Sequence, residues 1–220
     1  MQVPENKPAT GGLCDGNPMT GVMLPNVRRG SETNAYSLDQ ILSVLRLPFD
    51  ATTKAAIGVA AFAGWRESEI RGLQWRDYDG SEITVCRSID RVNNVVNPPK
   101  TPKSAAPVSV IPNLKRLLDA HKANAALGPD GKPMPDAPIF AGTRYDTMDL
   151  DKLALLVIRP ALESAKIPWY GWHAFRRGLA SNLFQLGCDD LTVQRILRHS
   201  KVQVTREKYI KCGMRRSSQP

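Results

Sequence analysis

The segment GWHAFRRGLASNLFQLG, residues 171–187, constrains this chain more than any other. From Phe175 on it has helical spacing, with Phe175, Leu179, Leu183 and Leu186 near one face and Gly187 as its stop. Its first turn carries His173, Arg176 and Arg177. A helix start already holds partial positive charge, so cations there are locally unfavourable. Two readings stand. Either this is a solvated basic helix end, or it is a seat for an anion. Free N–H groups and the dipole favour phosphate at a helix start, and an Arg fork grips its oxygens bidentately.

Charge leans toward the second reading. Across 220 residues, 30 Lys+Arg face 21 Asp+Glu, giving a net charge of +9 and a pI near 9.6. Such a balance suits a polyanionic partner, nucleic acid first and an anionic membrane surface second. The 3 histidines and 4 cysteines include no C-x-x-C pair, so neither a zinc site nor a disulfide framework is expected. The cysteines read as reduced thiols of a cytoplasmic protein. The opening MQVPENKPATGG lacks the basic-then-apolar pattern of a leader, and no apolar run reaches the roughly 20 residues that span a bilayer.

Residues 1–34 are rich in Gly, Pro, Asn and Thr and read as a linker or arm. Order begins with AYSLDQILSVLRLPF, where Ser37 and Gln40 fit a capping box and Pro48 closes the helix. ATTKAAIGVAAFAG predicts a second helix stopped by Gly64. WRESEIRGLQWRDYDG predicts a turn and a short helix. EITVCRS and APVSVIP alternate as strands do, with NPPKTPKS near a hairpin tip between or beside them. NLKRLLDAHKANAA is helical and LGPDGKPMPDAP a loop. DLDKLALLVIRPALESAKI is helical, with Pro160 kinking or interrupting it. The segment 171–187 follows, then the acid-led helix DDLTVQRILRH, and QVTREKYIK closes the ordered part. The expected fold is mainly α with a small antiparallel β-sheet near residues 82–112.

Polar residues recur in this frame where packing does not ask for them. Each has an ordinary explanation: Arg66 as a surface residue, Glu69 as a first-turn acid, Lys100 and Lys103 as exposed lysines, His199 as a favourable helix-end cation, Tyr209 as a half-buried aromatic. Their order is less ordinary. GWRESEIRGLQWRDYD, KTPKS, HAFRRGLASNLFQLG and LRHSKVQVTREKY occur in that sequence. Together they resemble the tyrosine recombinase, or phage integrase, family. Its pattern is an Arg in a G-x-R-x-x-E-I/L turn, a Lys on a β-hairpin, an H-x-x-R box, a second His or Trp, and a Tyr ten residues later. The resemblance runs from about Ala35 to Lys211.

The resemblance implies a catalytic domain over 35–212, a basic tail over 213–220, and an N-terminal arm that is the end of a DNA-clamping domain. It implies a site-specific DNA recombinase that breaks a phosphodiester by attack of a Tyr hydroxyl, leaving a 3′-phosphotyrosine and a free 5′-hydroxyl. Negative charge grows on the non-bridging oxygens, and fixed cations stabilise it without reorganising. On this pattern Arg66 and Arg176 are the phosphate forks, since Arg stays charged and binds bidentately. His173 is a donor or proton acceptor beside the nucleophile, His199 donates to a phosphate oxygen, and Tyr209 attacks. A Lys of KTPKS is the general acid for the leaving oxygen, Lys100 first and Lys103 second, while Lys103 otherwise binds DNA with Arg177. Glu69 holds Arg66 or a His in place. The bond energy stays in the phosphotyrosine, so no cofactor and no metal is implied. The partner is double-stranded DNA at a specific site, engaged by a dimer or tetramer with no membrane involved, and the location is cytoplasmic, with the nucleoid.

The chain departs from the pattern in places. Its N-terminal arm is short for a clamp, which suggests a fragment or a short catalytic-only member, and the residues after Tyr209 are few for a docking tail. L-R-H replaces the commoner L-G-H, and Trp65 stands where a Leu or similar residue is usual; both are expected to be tolerated. The alternative reading is a DNA-binding remnant or accessory factor of the same fold with weak or no catalysis. A type IB topoisomerase fits the H-x-x-R and L-x-H-S motifs less well.

Overall fold

A computed structural model describes residues 33–98, 105, 107–142 and 146–198. From Asn34 the described chain belongs to one compact unit. Its first helix, α1 (Leu38–Arg46), starts as local chemistry demands. The Gln40 N–H donates to Ser37 Oγ at 3.2 Å, and the Ser37 N–H donates back to Gln40 Oε1 at 3.0 Å. The chain turns extended at Leu47, before Pro48, because a residue preceding proline is pushed out of the helical region.

Helix α2 (Ala51–Phe62), capped by Asp50, is the centre of the fold. Every residue from Ala55 to Ala61 is buried, so this helix is enclosed by protein on all sides. It packs against α4 (Pro112–Lys122) and α7 (Trp172–Gln185). Its small side chains let those helices approach. At Gly64 the chain turns with φ +63, and a Cβ there would lie 2.8 Å from Leu197 and 2.9 Å from Leu179. Only glycine meets both demands.

After α2 come α3 (Glu67–Arg71) and a single 3₁₀ turn (Trp75–Asp77). Strand content is smaller and more divided than expected. β1 (Glu82–Ile83) pairs antiparallel with β4 (Val108–Ser109), while β2 (Ser88–Ile89) pairs antiparallel with β3 (Val96–Asn97). These are two separate two-stranded ladders rather than one sheet. EITVCRS is thus split between them, and the β2–β3 turn lies at residues 90–95, ahead of NPPKTPKS. That turn is pinned by tertiary bonds: Arg71 donates to the Asp90 carbonyl at 3.1 Å and to Asn94 Oδ1 at 2.6 Å.

The expected kink near Pro160 is a change of helix type. α5 (Leu150–Leu153) runs into a π turn (Ala154–Ile158), and α6 (Arg159–Ser164) continues. Proline has no N–H to offer the turn below, and the Arg159 N–H reaches the Ala154 carbonyl instead.

α7 begins at Trp172, three residues before the apolar spacing at Phe175 suggests. Its expected apolar face is also corrected. Phe175 is fully buried, but Leu186 is 72% exposed. The buried positions are Trp172, Ala174, Phe175, Gly178, Ala180 and Asn182, with Phe175, Gly178 and Asn182 against Tyr36 and Ala180 turned to α8. The Tyr36 ring stacks on Phe175 at 4.4 Å, its N–H donates to the Ala174 carbonyl at 3.3 Å, and its carbonyl would collide with any Cβ at Gly178. α8 (Asp190–Leu197), capped by Asp189, packs on α7 through Ala180, Val193 and Leu197. No helix among the described residues is long and apolar enough to cross a membrane.

Candidate active site

The ends of α2 and α8 and the start of α7 meet at Arg176. This side chain, in the first turns of α7, is only 3% exposed. Its Nη1 donates to the Gly64 carbonyl and its Nη2 to the Leu197 carbonyl. The Leu197 carbonyl, in the last turn of α8, lacks an intrahelical donor and carries partial negative charge, and the Gly64 carbonyl lies in the turn two residues past α2, so one guanidinium satisfies both. This cation of the basic start of α7 is therefore turned inward, onto the negative end of α8 and the turn that follows α2.

Arg66 sits at the threshold of α3, where its extended backbone lets the next residues coil. Its N–H donates to Glu69 Oε2 at 2.9 Å and its Nη1 to Glu69 Oε1 at 2.7 Å. The Arg66 side chain is 40% exposed and that of Glu69 8%. One edge of the Arg66 fork is thus fixed by the carboxylate, and the side chain still opens to solvent.

Glu69 Oε2 also accepts from Arg198 Nη2 at 3.0 Å, bringing together residues 129 positions apart. The Arg198 side chain is 1% exposed. Its guanidinium carbon stands 5.3 Å from the Trp65 ring centre, within cation–π range. Burial pushes the Glu69 carboxyl up, but Arg198 and the Arg66 N–H and charge together bring it below the usual Glu value. Glu69 is ionised at neutral pH.

His173 is exposed on the first turn of α7, close enough to feel these groups. Desolvation, then Arg177, Arg176 and Arg66, lower its pKa, with Glu69 opposing. Cations disfavour a further cation, so the imidazole is neutral at pH 7. Arg177 is partly exposed, and its Nε donates to the Asn34 carbonyl at 2.7 Å. Of the tyrosines described, Tyr36 and Tyr78 are both raised to about 12, first by burial, and are poor nucleophiles.

The structure therefore brings together Arg66, Glu69, His173 and Arg176, with Arg177 on the same turn as His173. Lys100, Lys103, His199 and Tyr209 lie outside the described residues. One member was missed from the sequence. Arg198 was expected only to be tolerated, and it is a buried part of the cluster. Nothing along the chain announces it; only in the fold does the position after α8 adopt φ +54, the left-handed conformation that glycine favours. A bulky cation at such a position needs partners.

In class, this is a mainly helical domain that gathers arginines from distant segments around one buried carboxylate. Solved structures share its architecture. The Tn1549 transposon integrase in complex with circular intermediate DNA aligns over 86% of this chain and 69% of its own, with TM-score 0.66 and 18% identity. The XerA recombinase aligns over 90% of this chain and 68% of its own, with TM-score 0.62 and 18% identity. A XerC-like tyrosine recombinase of Caldanaerobacter subterraneus subsp. tengcongensis is 26% identical over 217 residues, 88% of this chain. The chain spans 55% of the length of that relative. Residues 33–216 match the phage integrase family, and the chain belongs to it.

Proposed function

We propose that this chain is the catalytic portion of a site-specific recombinase that cleaves and rejoins DNA through a 3′-phosphotyrosine on Tyr209. The observation that carries this reading is the convergence around His173: Arg66 is oriented by Glu69, and both act on the imidazole together with Arg176 and Arg177 of its own helix. Arg66 offers the exposed cationic edge that a phosphate would meet. His173, neutral at pH 7, can accept the tyrosyl proton. Developing charge on the phosphate oxygens then finds cations already in place. Lys100 protonates the leaving 5′ oxygen and His199 completes the donors, while Lys103 and Arg177 hold the flanking backbone. Residues 35–212 are the catalytic domain, 1–34 the end of a clamping domain and 213–220 a basic tail, and the protein assembles as a dimer or tetramer on its site in the nucleoid.

A second reading has an observation of its own. Arg176 donates to two backbone carbonyls, as a structural residue would. That suits a DNA-binding relative of the fold with weak or no catalysis. One experiment separates the two. Nicked duplexes tiled across the DNA flanking the chain's own gene are incubated with protein at low salt and denatured. A protein–DNA band that Tyr209→Phe abolishes supports the recombinase. Mobility shift without any such band supports the binding module.

A further inference from the structure

We infer that Arg198 is a positioning residue of this site, one that shares Glu69 with Arg66 so that Arg66 is oriented without being neutralised. The inference rests on the recombinase reading above. A lone Arg66–Glu69 pair has no net charge and would offer a phosphate little attraction. Here one carboxylate lies between two guanidiniums, at 2.7 Å from Arg66 Nη1 and 3.0 Å from Arg198 Nη2, so the trio keeps one positive charge. Of the two cations, Arg198 is enclosed and Arg66 is open. The surplus charge is therefore presented through Arg66.

The fold makes concessions to keep Arg198 there. A side chain with a Cβ in the left-handed conformation costs about 1 kcal/mol or more, and a buried guanidinium adds a desolvation cost. Glycine would avoid both. The compensation is visible: Glu69 pairs with the charge, and the Trp65 ring lies under it. Trp65 and Arg198 are also the two residues at which this chain departs from the pattern it resembles, and they touch each other. Trp65 is 1% exposed. The two departures form one unit, a cation with its platform.

The test uses the full chain with three substitutions. Arg198→Met keeps the stem over Trp65 and the backbone conformation while removing the charge; Arg198→Lys keeps the charge; Arg198→Gly removes side chain and strain together. Melting curves set an assay temperature at which all are folded. Single-turnover formation of the covalent adduct and DNA affinity are then measured on nicked duplex. Arg198→Met and Arg198→Gly are expected to slow adduct formation by about ten- to a hundredfold, with affinity within about threefold of wild type. Arg198→Lys is expected to stay within about threefold on both readings. Adduct formation by Arg198→Met at the wild-type rate would overturn the proposal alone. So would equal losses of rate and affinity, which mark general charge rather than positioning. A wild-type chain that forms no Tyr209-dependent adduct overturns the recombinase reading, and this proposal with it.

Discussion

Glu69→Gln tests the cluster at its centre. Glu69 accepts three hydrogen bonds, from the Arg66 N–H at 2.9 Å, Arg66 Nη1 at 2.7 Å and Arg198 Nη2 at 3.0 Å. Glutamine keeps the shape and one acceptor but removes the charge. The consequence differs for the two arginines. Arg66 is 40% exposed, so water takes over and the loss is about 0–1 kcal/mol. Arg198 is 1% exposed, and an uncompensated buried charge costs about 3–5 kcal/mol. The retained amide oxygen favours the lower end, about 3 kcal/mol in all. At about 2–4 °C per kcal/mol for a domain of this size, Tm should fall by about 6–12 °C. Combining Glu69→Gln with Arg198→Met removes the stranded cation, so the double variant should be more stable than the sum of single losses predicts, by about 2 kcal/mol. The pH dependence has a definite sign. Glu69 titrates below its ordinary value near 4.3, so its stabilisation is complete above that pH and is lost as pH falls through the lower folded value. The gap between wild type and Glu69→Gln should close on acidification. A Tm loss under about 2 °C, or strictly additive losses in the double variant, would refute the account.

Arg176→Lys should cost about 1–3 kcal/mol by denaturant titration, because an ammonium on a flexible stem cannot cap both the Gly64 and Leu197 carbonyls. The pH profile of single-turnover cleavage should keep its His173-dependent acid limb below about pH 6.5, since desolvation and three arginines hold that imidazole neutral; a limb at or above that pH contradicts the assignment. Gly178→Ala should destabilise by about 1–3 kcal/mol in a thermal melt, because its methyl meets the Tyr36 carbonyl.

How far the sequence could be read depended on how local the governing physics is. The Ser37–Gln40 box and the stop at Gly64 are decided within four residues, and both are where the spacing puts them. The β2–β3 ladder is two residues per strand and is held by Arg71 from another element, so no run of alternation announces it. The inner face of α7 is not the apolar stripe because Leu186 continues that spacing past the end of the helix, while the contact surface is made by Gly178 beneath Tyr36 and by Ala180 against α8. Within the site, the order of motifs singled out Arg66, Glu69, His173 and Arg176. That Arg176 faces backbone carbonyls of two other segments, and that Arg198 belongs with Glu69, are facts of tertiary contact with no signature along the chain.

The π turn before Pro160 acts as a phase corrector. Leu150, Ala154, Ile158 and Leu162 are spaced four apart and all are buried. At about 100° per residue, such a stripe drifts about 40° with each step around a regular helix, or about 120° over three steps. The wider turn at Ala154–Ile158 advances less per residue and takes back much of that drift. Leu155, Leu156 and Val157 bulge outward as the slack. Deleting one of them would restore a regular turn and leave Ile158 and Leu162 within about 20° of the stripe, whereas a regular helix of full length would carry Leu162 about 120° off it.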